Sequence, residues 1–310
     1  MLRKLITQIS EKTQSPAWGV GFMMTGMFIV PIMDALAKIL GASMSPMQIT
    51  WGRFAFQTVF MGIAILITLD ASALKPLRPG VHAVRGILLA VATTFFFFSL
   101  LYLPLANAIA IFFVQPMILT LLSALALGEH IGWHRRIAVA TGFIGALLII
   151  RPGSEGFTLA SLLPLAAAVF FASYLALTRS VANVDHPLTM QYASAIGAAV
   201  FMSVALCLGS FTSTAMFQPS MPDANEWLML AGVGIIAAVG HLMVVIAVNR
   251  APTSLLAPFG YIEILSATAL GWWIFGDWPD TFTWLGISVI VSSGMYVLFR
   301  ENQLKASAAH

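Results

Sequence analysis

The sequence predicts an all-α polytopic membrane protein, with ten transmembrane helices arranged as two inverted five-helix repeats. Three observations lead there. The 310-residue chain is 59% hydrophobic and only 9% charged, whereas a soluble domain carries about 25% charged residues. Ten apolar stretches follow one another, several of them joined by tight loops. The chain also aligns with itself at an offset of 148 residues: PLANAIAIFFVQPMILTLLSALALGE at 104–129 falls on PTSLLAPFGYIEILSATALGWWIFGD at 252–277. Pro104 lands on Pro252, Thr120 on Thr268, Leu122 on Leu270, Gly128 on Gly276, Glu129 on Asp277 and Gln115 on Glu263.

Taken in order, residues 1–16 form a short basic cytoplasmic segment. Leu2, Leu5, Ile6 and Ile9 fall at helical spacing there, as a helix lying on the membrane surface would place them, or as a frayed tail. This basic region runs into an apolar segment long enough to span, unlike a cleavable signal. Spans are expected near 17–40, 47–69, 80–102, 105–127, 134–151, 157–179, 187–209, 227–249, 253–275 and 281–299. They divide around Arg151–Gly156 into a first repeat, 17–151, and a second, 157–299, followed by a cytoplasmic tail, 300–310. Five crossings leave the chain on the opposite side, so the second copy enters the membrane inverted. Inverted repeats of this kind hold a site at their interface near the bilayer midplane.

Lysines and arginines set the orientation. With the N-terminus inside, Arg3, Lys4, Lys12, Lys75, Arg78, Arg85, Arg135, Arg136, Arg179, Arg250, Arg300 and Lys305 fall on the cytoplasmic side, against Lys38 and Arg151 outside. Asp223, Glu226, Asp277 and Asp280 fall on outer loops. Both termini are therefore expected in the cytoplasm. Ala138, Gly142 and Ala146, with Gly145 beside them, show the small-residue spacing that lets helices approach closely in lipid.

The polar residues inside the spans are the candidate site. A buried acid at a helix centre costs about 2.5–3.5 kcal/mol on insertion scales, and Glu263 is too deep in its span to snorkel out. It reads as a proton carrier or acceptor for a cationic group, or as a protonated acid bonded to another helix. Pro258 and Gly260 weaken the helix just before it. Gln115 is its mate, and Pro116 beside it removes the hydrogen bond to the Phe112 carbonyl; Pro258 does the same to Ser254. Gln115 is a ligand or an interhelical bond. Asp34 and Lys38 are four apart, a favoured helical pairing, just after Pro31. Arg53 lies inside the second span, where Asp34 can approach it. These form an outer charge cluster that gates the site or binds an anionic group; alternatively Arg53 snorkels to headgroups and Asp34 pairs with Lys38. His241 is a titratable group or a structural donor. Arg85 reads as snorkelling to the cytoplasmic surface. Of the run Phe95 to Phe98, some rings must face lipid, and Trp272 and Trp273 sit where interfacial belts form. Tyr102, Phe113 and Tyr261 are candidates to line a pocket for a flat molecule.

Several function classes are disfavoured. The basic residues are scattered in loops, so no nucleic-acid face is expected. A single cysteine, Cys207, leaves no disulfide framework or cysteine metal site. There is no phosphate-binding loop and no HExxH motif, and no cofactor is expected.

MDALAK at 33–38, WGRF at 51–54, LPLANA at 103–108 with Pro116 and LGE at 127–129, RRIAVATGFIGALLIIRPG at 135–153, and RAPTSLLAP at 250–258 with GYIEIL and FGD at 275–277 together resemble the drug/metabolite transporter superfamily, in particular its EamA-type ten-helix members. The resemblance covers nearly the whole chain. It implies alternating access and a central cavity lined by helices one, three, four, six, eight and nine, which carry Asp34, Gln115, His241 and Glu263. Such proteins move amino acids, flavins, S-adenosylmethionine, metallophores, drugs or sugar nucleotides. MDALAK followed by WGRF is most similar to riboflavin or S-adenosylmethionine carriers, with export of aromatic amino acids or metallophores as alternatives. The expected function is thus secondary transport of a small polar or amphipathic metabolite across the cytoplasmic membrane, with protons as a candidate coupling ion. A membrane-embedded enzyme and a channel are the competing readings.

Overall fold

The computed structural model of the protein describes residues 16–127, 133–154, 157–181, 184–212, 218–251 and 253–308. The basic segment with Leu2, Leu5, Ile6 and Ile9 lies outside the described residues, as do Gly128, Glu129 and Pro252 of the self-alignment.

The described residues form twelve α-helices and two short 3-10 turns, with no strand among them. The first half runs α1 (Pro16–Leu40), α2 (Pro46–Thr68), α3 (Pro79–Leu100), α4 (Leu105–Phe112), α5 (Gln115–Leu127) and α6 (Trp133–Ile150). The second half repeats this order with α7 (Leu163–Ser180), α8 (Pro187–Gly209), α9 (Ala224–Arg250), α10 (Thr253–Gly260), α11 (Ile262–Phe275) and α12 (Thr281–Ala308). Among the described residues, seven helical stretches are long and apolar enough to cross a bilayer, and Arg136–Ile150 and Thr281–Val297 are shorter apolar helices. Residues 300–308, expected as a tail, continue α12.

Local chemistry explains the boundaries. Proline opens α2, α3 and α8, where its missing N–H is not needed and its fixed φ suits the first turn. Ser45 caps α2 by accepting from the Gln48 N–H at 3.3 Å. Asp223 and Glu226 form a reciprocal capping box at the start of α9, with both bonds at 2.8 Å. Gly276, at φ +72°, ends α11. Its N–H reaches the Trp272 carbonyl at 3.0 Å and the Asp277 N–H reaches Gly271 at 3.1 Å, the left-handed stop that glycine permits.

Each half contains one broken helix, and the two breaks have the same register. In the first, an 8-residue piece ends at Phe112 and a 13-residue piece starts at Gln115. In the second, an 8-residue piece ends at Gly260 and a 14-residue piece starts at Ile262. The prolines that weaken them are not in register: Pro116 opens the second piece of one helix, whereas Pro258 lies inside the first piece of the other. At α1, by contrast, Pro31 sits within a helix that remains unbroken.

Packing between the halves is reciprocal. α1 packs on α9 while α7 packs on α3; α1 packs on α11 while α7 packs on α5; α2 packs on α9 while α8 packs on α3; and α2 packs on α8, and α6 on α12. Two equivalent halves packed on one another give this pattern. Small residues make the approach possible. A Cβ at Gly86 would run into the backbone of α8 at Ser194 and Ala198, and one at its register mate Gly234 into the backbone of α2 at Arg53 and Gln57. Gly145 sits against Gly286 where α6 crosses α12, and Ser293 donates to the Ala138 carbonyl across the same crossing at 2.5 Å.

Candidate functional site

The two helix breaks meet at the centre of the molecule. Phe113, in the first break, stands at the same register as Tyr261 in the second, and their rings lie 5.4 Å apart. Gly294 on α12 makes room for Tyr261, since a Cβ there would collide with the tyrosine hydroxyl. Around this pair lies a cavity of about 720 Å³, walled by both halves. Its lining extends toward Met23 and Val248, the end where α1 begins and α9 finishes, and stops short of the end where α1 finishes.

At that far end the halves are closed on one another. Leu40, Met44, Ile49, Leu100 and Leu105 of the first half are buried there in one cluster with Leu230 and Val233 of the second. Beside them Lys38 Nζ bonds Asp277 at 2.9 Å and the Leu103 carbonyl at 3.0 Å, with its ammonium 4.7 Å from the Phe275 ring centre. The left-handed stop at Gly276 turns Asp277 toward this tie. Lys38 therefore pairs across the halves, not with Asp34 four residues earlier. Arg151 and Asp280 make a further ion pair at the same end.

The structure brings most of the sequence-selected residues to one cavity: Asp34, Arg53, Phe113, Gln115, Pro116, His241, Gly260, Tyr261 and Glu263 all line it. Lys38 and Tyr102 lie away from it, Lys38 in the tie just described and Tyr102 65% exposed on the turn after α3. Pro31 is buried within α1 and Pro258 stands three residues before the second break.

Asp34 is 3% exposed, yet neither it nor Glu263 makes a hydrogen bond or ion pair with another described residue. The two carboxyls lie within electrostatic reach of each other, and Asp34 within that of Arg53. Arg53 does not snorkel. It is buried, its guanidinium donates to Thr93 Oγ1 on α3, and its Cζ lies 4.7 Å from the Phe54 ring centre. Gln115 Oε1 is buried with no partner among the described residues. Amide oxygens in that state normally carry a hydrogen bond, so Gln115 has acceptor capacity to spare. His241 Nδ1 is satisfied by the Ala237 carbonyl at 2.7 Å, within its own helix, which aims Nε2 away from that bond. Ser266 donates to the Phe28 carbonyl at 2.9 Å and holds α11 against α1.

Arg85 corrects the sequence reading most. Expected at the surface, it is one of the largest fully buried side chains, 2% exposed, and it lines the cavity. Nε donates to Thr178 Oγ1 at 3.0 Å and Nη1 pairs with His82 Nδ1 at 2.7 Å. Longer bonds of 3.4 Å run from Nη1 to the Met190 carbonyl and from Nη2 to the Tyr174 hydroxyl. His82 Nε2 is in turn 2.9 Å from Asp185, in the turn before α8. A bonded partner one helical turn away, His82, was the available sign that this arginine is held and not free to reach headgroups. The phenylalanine run also divides: Phe96 and Phe97 face the cavity, while Phe95 stacks on Phe170. Trp272 and Trp273 are 60% and 81% exposed, as a lipid-interface position requires.

Comparison with known proteins agrees with this architecture. The EamA-like transporter family matches this chain twice, over residues 17–151 and 158–299. The chain is 28% identical to a riboflavin transporter of Vibrio cholerae, covering 91% of this chain and 93% of that protein. It is 24% identical to an S-adenosylmethionine uptake transporter of Rickettsia bellii, covering 92% and 94%. It is 25% identical to a pseudopaline exporter of Pseudomonas aeruginosa, covering 88% and 93%. A solved crystal structure shares the fold with a TM-score of 0.65 at 22% identity, covering 93% of this chain and 99% of that one. A doubled family match, helices suited to a bilayer and a shared central cavity have one consequence: this multi-pass membrane protein belongs to the EamA-like transporter family.

Proposed function

We propose that this protein is a secondary transporter of the cytoplasmic membrane that moves a small amphipathic metabolite by alternating access. In this reading the chain crosses ten times, as an inverted pair of five-helix repeats (17–151 and 157–299), with both termini in the cytoplasm. The observation that carries it is the cavity at the meeting of the two helix breaks, with the unpaired carboxyls of Asp34 and Glu263 on its wall. Broken helices at a repeat interface are where transporters of this kind bind cargo. With the termini inside, the cavity faces the cytoplasm, and the Lys38–Asp277 tie with the apolar layer beside it closes the outer path. Rocking one repeat against the other opens that path and closes the inner one.

Glu263 is the coupling group in this scheme. It sits in the first turn after a break, faces the cavity and has no internal partner, so proton exchange with solvent or cargo occurs there. The names of the similar proteins make riboflavin and S-adenosylmethionine the first compounds to test. Purified protein in liposomes is expected to accumulate one of them without added nucleotide, at carrier rates and with dependence on an imposed proton gradient. Chemical turnover without vectorial movement indicates the enzyme reading, and currents far above carrier rates the channel reading; either result overturns the proposal.

A further inference from the structure

The charges in the cavity are not mixed evenly. Asp34, Glu263, Arg53 and His241 form one group, each within electrostatic reach of another member. Arg85 stands apart. Arg53 is bonded to Thr93 on α3, eight residues beyond Arg85, which is about 12 Å along an α-helix at 1.5 Å per residue. The cavity thus holds both of its acids near the helix breaks, together with Arg53 and His241, and a second arginine nearer its open end.

Arg85 also lacks what a buried arginine normally has. Its acceptors are a hydroxyl from Thr178, another from Tyr174, an imidazole nitrogen and a backbone carbonyl. All four are neutral, and two of the bonds are long. A guanidinium carries five N–H donors, so at least one remains after these four bonds. Asp185 is one residue removed, bonded to His82 and to the Leu77 N–H, not to Arg85. A buried charge in a membrane protein is costly without an opposite charge, and a guanidinium fork matches planar and phosphate oxyanions, a carboxylate among them, through two parallel bonds. The neutral cradle holds the fork in place and leaves its charge free. The Tyr174 ring, 5.2 Å from Cζ, covers one face, so an incoming anion meets the edge.

We propose that Arg85 binds the carboxylate of an elongated zwitterionic cargo whose cationic part reaches Asp34 and Glu263, with its apolar body between Phe96, Phe112, Phe113 and Tyr261. This rests on the transporter reading, and it narrows the cargo to molecules with a carboxylate at one end and a positive group removed from it. His82 is a positioning residue, since it holds the guanidinium without touching cargo.

The test is binding to detergent-purified full-length protein, independent of transport, using S-adenosylmethionine, decarboxylated S-adenosylmethionine and riboflavin as probes in thermal-shift titrations, since ligand bound to the folded state raises apparent stability. The wild type is expected to bind S-adenosylmethionine at least tenfold more tightly than the decarboxylated form. Arg85→Gln is expected to bring the two to similar weak affinity, and Arg85→Lys to restore part of the preference. Equal binding of the two sulfonium compounds by the wild type overturns the inference without any variant, so failure of Arg85→Gln to fold leaves it testable. Binding of riboflavin alone, or binding of none of the three, overturns it too. Liposome uptake of riboflavin alone defeats this inference while leaving the transporter reading intact.

Discussion

The two repeats share a scaffold and differ in the chemistry they bring to it. Each has three long helices, one helix broken after its eighth residue, and a closing helix. At the break one offers Phe113 and the amide Gln115, the other Tyr261 and the acid Glu263. Asp34, Arg53 and Arg85 come from the first half, and the second answers with His241 and Glu263. Symmetry therefore builds the cavity, and departures from symmetry charge it. Even the breaks are reached differently, through Pro116 after one and Pro258 before the other. Register is what the two copies preserve, and the pieces after the breaks pack alike, α11 on α1 as α5 on α7.

The sharpest way to test this contrast is to erase it. Glu263→Gln puts an amide at both breaks with little change of shape. Uptake in liposomes is expected to fall at least tenfold and its dependence on pH near neutrality to flatten, while thermal stability holds. Unchanged uptake with an unchanged pH profile would mean that the asymmetry at the breaks carries no function.

The shared scaffold is tested by substituting its matched glycines. Gly86→Ala and Gly234→Ala each drive a Cβ into the backbone of a helix from the other half. Each is expected to destabilise by about 1–3 kcal/mol, as overpacking does, and by similar amounts, read as a loss of thermal stability in detergent. A loss at one position with none at the other contradicts equivalent crossings.

A smaller effect is expected at the closed end. Lys38 and Asp277 are 17% and 32% exposed, so solvent screens their pair to under about 1 kcal/mol. Lys38→Met is expected to raise labelling of a cysteine introduced at Leu103, in a Cys207→Ser background, a few-fold, by releasing the tie. Unaltered labelling would assign closure to the apolar layer of Leu40, Met44 and Leu105 alone.

The smallest effect near neutrality concerns the two turns that anchor opposite ends. Burial pushes the Asp185 carboxyl up, but hydrogen bonds from His82 and the Leu77 N–H hold it below the usual carboxylate range. Burial likewise pushes Asp280 up, while Arg151 and the Thr283 N–H hold it below that range. A carboxyl lowered on folding stabilises fully above its unfolded value, about 3.9, and the contribution is lost as pH falls through the folded value. Melting temperature is therefore expected to show no change from these groups between about pH 5 and 8 and a decline below about 4. A decline that begins above pH 5 would rule them out as the acid-labile ties.

Much of this was legible in the chain itself. A bilayer constrains sequence strongly, since every spanning segment must be apolar and must satisfy its own backbone. Hydropathy, prolines and a 148-residue offset thus determined the helical class, the doubled organisation, the weakened helices that hold Gln115 and Glu263, and the polar residues worth watching. Asp34, Arg53, Gln115, His241 and Glu263 stand out because polar groups are rare in such segments. Tertiary structure alone decided their partners. Lys38 had Asp34 at helical spacing yet bonds Asp277, 239 residues away. Arg85 had the length to reach the surface, but Thr178, Tyr174 and His82 hold it inside. The physical reason is the same for both: a long cationic side chain has several destinations within reach, and which one wins depends on what the neighbouring helix presents there.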